Sequence, residues 1–111
     1  MSSKRFELKK QQPNSLKKMV LGTIQLRLHF PMPQSLKEKR SILKSVLTRI
    51  RQTFNIGLAE IDGMDLWQYS VIAAVCVGRE RREVEKTLDQ VREFLDREEE
   101  LQVVDEQKEL L

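Results

Sequence analysis

The chain has 111 residues, of which 40% are hydrophobic, 33% charged and 5% aromatic, a composition that fits one globular core and excludes a disordered or fibrous chain. The formal charge of +3 conceals an asymmetry: residues 1–54 carry 13 Lys/Arg against 2 Asp/Glu, and residues 55–111 carry 7 against 15. No uncharged apolar run approaches the roughly 18 residues of a membrane span, no hydrophobic leader is visible, and the single Cys76 cannot form an internal disulfide, which together predict a cytoplasmic protein.

Residues 1–18 hold six Lys/Arg against Glu7 and almost nothing to bury. They read as a disordered basic arm, or as an extension upstream of a domain spanning 19–111. Val20 to Phe30 then alternates. Val20, Ile24, Leu26, Leu28 and Phe30 point one way, and Thr23, Gln25, Arg27 and His29 the other, as in a half-buried strand. Pro31-Met32-Pro33 ends it, since neither proline can donate to a ladder. Ser35-Leu36-Lys37-Glu38 is a capping box and opens a helix to about Phe54, with Leu36, Leu43, Val46, Leu47, Ile50 and Phe54 on one face. A short strand over 55–62, a turn at Gly63-Met64-Asp65 and a long strand over 66–77 follow. A second amphipathic helix is predicted over 79–100, with Val84, Leu88, Val91 and Leu95 as its stripe. A charged edge strand is predicted from Leu101 to about Gln107.

The order βαββαβ, with two right-handed split crossovers, predicts an α+β ferredoxin-like fold. Its four-stranded antiparallel sheet would run in the order 4-1-3-2, with both helices on one face. On the third strand the more apolar odd set, Trp67 to Val77, is expected in the core. The open face would then show Gln68, Ser70, Ile72, Ala74 and Cys76 beside Thr23 to His29 of the first strand. With no aromatic ring there, the face lacks the stacking surface of an RNA-recognition motif. It suits sheet-on-sheet packing in a homodimer instead.

No catalytic, cofactor-binding or metal-binding residues are predicted. The prolines remove amide donors where an acylphosphatase-type loop would cradle phosphate. His29 has no acid or nucleophile forced near it, and Cys76 reads as a small hydrophobe. Glu60, Asp62 and Asp65 read as solvated turn carboxylates. Charge on the first helix is more informative. Lys37, Lys39 and Arg40 sit at a helix start, where cations are unfavourable. One explanation is neutralisation by Asp96 and Glu98–Glu100 at the end of the antiparallel second helix. The other is function: Lys37, Arg40, Lys44 and Arg51 line one flank beside Ser41, Ser45, Thr48 and Gln52, a pattern suited to a phosphate backbone.

Ser35-Leu36-Lys37-Glu38-Lys39-Arg40-Ser41, Phe54-Asn55, Ala59-Glu60 and Asp65-Leu66-Trp67-Gln68 resemble, in order and spacing, the bacterial YlxP-like family. The resemblance covers about residues 19–111; the arm before Met19 and the Gly63-Met64 turn depart from it. It implies a small cytoplasmic ferredoxin-like protein of unknown function, often encoded beside translation initiation factor two and ribosome-binding factor A. It supplies no catalytic residues. Three readings stay open. The first is a non-enzymatic accessory protein binding RNA or a ribosomal particle through Lys37, Lys39, Arg40, Lys44 and Arg51. The second is a homodimeric protein-interaction module using Asp65, Trp67 and Gln68, with Trp67 either an anchor or a core residue. The third is a small-molecule sensor, for which no substrate or cofactor is identified.

Overall fold

The computed structural model describes residues 16–111. Of the basic arm, only Leu16, Lys17 and Lys18 fall among these; all three are exposed and precede the first strand, and the rest lies outside the described residues. The elements are β1 (Val20–His29), α1 (Leu36–Thr53), β2 (Gly57–Asp62), β3 (Tyr69–Gly78), α2 (Arg81–Asp96) and β4 (Gln102–Leu110). The sheet order is β2-β3-β1-β4, with each neighbouring pair antiparallel. This is the expected ferredoxin-like arrangement, with β1 and β3 central. No helix among the described residues is long and apolar enough to cross a membrane.

Both helices cover the face formed by the even residues of β1. Ile24, Leu26 and Leu28 are fully buried there, and Phe30 continues the row past the strand end. Leu43, Val46, Leu47 and Ile50 of α1 and Val84, Leu88, Val91 and Leu95 of α2 complete the core. Burying a leucine or isoleucine contributes about 1.5–3 kcal/mol, so these stripes, rather than helix propensity, hold the layers together.

The parity of β3 is opposite to the expectation. Ser70, Ile72, Ala74 and Cys76 are buried, whereas Tyr69, Val75 and Val77 are exposed. The reason is register. In β1–β3, Leu28 pairs with Ser70, Leu26 with Ile72, and Ile24 with Ala74. Directly opposed residues share a face of the sheet, so the alternation of β1 carries the small even set of β3 inward, although the odd set is more apolar. Residues 66–68, expected in the strand, belong instead to the connection before it.

Ser35 caps α1 as expected, accepting from the Glu38 amide at 3.2 Å. The reciprocal half of the box is shifted by one residue: Glu38 accepts from the Gln34 amide at 2.6 Å. The edge strand β4 packs Val103 and Leu110 against the core and sets charged chains against α2 between them. Lys108 Nζ lies 2.8 Å from Asp89, and Glu106 accepts from Arg92, which also pairs with Asp96.

Gly22 marks where α2 meets β1. A Cβ there would lie 2.5 Å from Val84 Cγ1 and 3.0 Å from Leu88 Cδ1, both on buried side chains. Gly22→Ala should therefore destabilise the domain by about 1–3 kcal/mol through overpacking. Urea unfolding checks this: the midpoint should fall while the slope stays unchanged.

Candidate nucleic-acid interface

The six cations of α1 have different fates. Lys37, Arg40, Lys44 and Arg51 are exposed. At about 100° per residue they fall within an arc of about 60°, along about 21 Å of helix. Lys37 and Lys44 form no ion pair among the described residues. Arg40 has one carboxylate in reach, Asp65 at 4.0 Å. Arg51 Nη2 donates to the Leu58 carbonyl at 3.0 Å, which ties the end of the stripe to β2. Arg49 lies off the arc, paired with Glu98 and placed 5.7 Å from the Phe94 ring.

Lys39 does not belong to this surface. It is fully buried, and its ammonium donates to Glu60 Oε2 at 3.1 Å and to the Gly63 carbonyl at 2.9 Å, with the Phe30 ring 5.9 Å away. Glu60 Oε2 also accepts from the buried Ser70 hydroxyl. Each charge is thereby matched, as burial demands. The signal was available in the spacing. Lys39 follows Leu36 by three and precedes Leu43 by four, so it occupies a core position of the stripe. The expected neutralisation between the start of α1 and the end of α2 does not occur at Lys37, Lys39 or Arg40. Lys39 takes Glu60, Arg40 takes Asp65, and Glu98 takes Arg49.

The β2–β3 connection is therefore fastened at both ends. Gly63, at φ +80°, makes the turn, and its carbonyl accepts from Leu66 N and from Lys39. At the other end the Gln68 carbonyl accepts from Phe30 N at 2.7 Å. Between them Asp65 is exposed and Trp67 is 43% exposed, which removes the reading of Trp67 as a core residue. Asp65, Trp67 and Gln68 thus sit in one loop, with Gln68 half-buried. Glu60, Asp62 and Asp65 do not converge: Glu60 faces Lys39, Asp62 accepts from the Gly63 amide, and Asp65 extends into solvent beside Arg40.

The reversed parity of β3 also changes the open face. Tyr69, Val71, Ala73, Val75 and Val77 now line it beside Leu21, Thr23, Gln25, Arg27 and His29. The face is more apolar than expected, and it carries aromatic rings.

Residues 21–108 match the family described as "Protein of unknown function (DUF503)". The chain belongs to this family. Over 62 residues it is 42% identical to the uncharacterized protein YlxP of Bacillus subtilis (strain 168), spanning 56% of this chain and 67% of that one, in accord with the YlxP-like resemblance. Among solved structures, the de novo designed protein Foldit4 aligns with 85% of this chain and 97% of its own, at 12% identity and a TM-score of 0.46.

Lys39→Met should cost about 3 kcal/mol, because it leaves the Glu60 carboxylate without its counter-charge and takes a donor from the Gly63 carbonyl. Replacing the whole group, as Lys39→Met with Glu60→Leu and Ser70→Ala, should recover at least half of that loss. Parallel urea titrations decide it. A triple variant no more stable than Lys39→Met alone would contradict a desolvated ion pair.

Proposed function

We propose that the protein is a non-enzymatic accessory factor of the cytoplasm that binds RNA, free or within a ribosomal particle, through the outer face of α1. One observation carries this reading: Lys37, Arg40 and Lys44 stand exposed on one arc, with Asp65 the single carboxylate within 4.0 Å among the described residues. An exposed pair such as Arg40–Asp65 contributes about 0–1 kcal/mol, so releasing Arg40 to a phosphate costs little. Ser41, Ser45 and Thr48 are exposed on the same helix and add hydroxyl donors for phosphate oxygens. The fold tolerates three cations near a helix N-terminus because one is neutralised internally; the other two serve an external anion.

Charge reversal at Lys37, Arg40 and Lys44 tests the reading. Affinity for single-stranded RNA should fall at least tenfold. The slope of log K against log salt should shrink by about 2, since each neutralised phosphate contributes about 0.7. Unchanged affinity and slope would reject the site.

A second reading is supported by the aliphatic end of the open face. Val75 and Val77 are 39% and 60% exposed, and Val77 pairs with Leu21. Gly57, Ala59 and Ala73 put no bulky side chain on this half of the face, which suits face-to-face packing of a second copy at about 10 Å. Val77→Glu should then convert a dimer to a monomer in light scattering. A monomeric wild-type protein at micromolar concentration would remove the dimer and leave the RNA reading intact.

A further inference from the structure

The opposite end of the open face differs in chemistry. His29 and Tyr69 are register partners on the two central strands, with ring centroids 5.0 Å apart and planes tilted by 34°. Tyr69 is 44% exposed. Arg27 and Gln25 are exposed on the same face, with Arg27 directly opposite Asp105 of β4, so this end is polar where the Val75–Val77 end is aliphatic. At about 3.3 Å per residue the two ends lie about 26 Å apart.

The loop carrying Trp67 joins this end to α1. It begins at Gly63 and Asp65, which contact Lys39 and Arg40, and it ends at Gln68, bonded to Phe30. The loop thus links the exposed cations of α1, on the helix side of the sheet, through Trp67 to Tyr69, His29 and Arg27 on the open side. Cations beside open π faces are what an unpaired, phosphate-linked base requires. A duplex presents only groove edges and backbone and has no use for the rings.

We infer that Tyr69 with His29, together with Trp67, stacks unpaired bases of a single-stranded RNA whose backbone is held by Lys37 and Arg40. This rests on the RNA reading above and adds to it the strandedness of the ligand and the residues that contact bases.

The test uses the full chain with fluorescently labelled 12-nucleotide oligouridine and a 12-base-pair RNA duplex, followed by anisotropy at several salt concentrations. Oligouridine should bind at least tenfold tighter than the duplex. Tyr69→Ala should weaken oligouridine binding about 5- to 100-fold, the range of one lost base stack, with an unchanged salt slope and unchanged circular dichroism. Tyr69→Phe should retain binding. Trp67 is the sole tryptophan, so its intrinsic emission should be quenched as oligouridine is added and not by the duplex. If the α1 charge reversals abolish binding while Tyr69→Ala and Trp67→Ala bind as wild type, stacking is overturned and the RNA reading stands. Duplex binding as tight as oligouridine binding has the same meaning. If neither RNA binds the wild-type protein, both proposals fall.

Discussion

The pairing of β1 with β3 governs the molecule. Ile24, Leu26 and Leu28 leave β1 only one way to face the helices, and the antiparallel register carries Ala74, Ile72 and Ser70 inward with them. A slip by one residue would invert every side chain of β3. It would bring Tyr69 and Val71 beneath the helices and put Ile72 in water. Apart from Ile72 the inward set of β3 is small, as is Gly22 on β1, opposite Cys76. That is what lets Val84 and Leu88 of α2 approach the sheet closely. The exposed valines and tyrosine of the outer face are the consequence. Close helix packing on one side leaves the bulkier apolar chains on the other.

The Lys39–Glu60–Ser70 group acts on the same register. Ser70 reaches Glu60 only in the observed pairing, and Glu60 meets Lys39 only if β2 lies as it does beside β3. A buried ion pair is weak evidence for net stability. Its use here is to make the wrong registers costly, because each would leave a desolvated ammonium without its carboxylate. The group also fastens the first turn of α1 to the β2–β3 loop, so the cations of the helix and the ring of Trp67 belong to one rigid end of the fold. That coupling is what allows two chemically different features to be considered as one surface.

The order of elements, the alternation of β1, the Ser35 cap and the charged edge strand were all legible because each is a local pattern with a single physical solution. The polarity of β3 was not. Its odd residues are the more apolar, and only the register with β1, a long-range fact, overrides that weight. The burial of Lys39 was hidden for a different reason. Its spacing from Leu36 and Leu43 put it on the buried stripe, but its charge suggested solvent, and the partner that resolves the conflict lies 21 residues away at Glu60. Nothing local marks where the β2–β3 connection ends, so residues 66–68 read as strand and Trp67 as core. The helix-dipole mismatch was legible in the sequence, but which of its two explanations applies was not. Side-chain reach sent Glu98 to Arg49 and Lys39 to Glu60, leaving Lys37 and Lys44 with no partner among the described residues.

The surface that results is divided by the kind of force each part can exert. The outer arc of α1 offers charge, which acts over about 8 Å at physiological ionic strength and weakens with salt. The Tyr69–His29 end of the sheet offers π faces, which act on contact and are largely indifferent to salt. The Val75–Val77 end offers aliphatic area, which also acts on contact but without preference for a planar partner. A ligand that used charge alone would have no need of the loop joining α1 to Tyr69. A protein partner that used aliphatic area alone would have no need of Lys37 or Lys44. Under the reading proposed above, a flexible polyanion with exposed rings would engage the helix, the loop and the aromatic end together. The two proposals, self-association at the aliphatic end and RNA binding at the other, would share one sheet only if a second copy stopped short of the Gln25–Ala73 pair that lies between them.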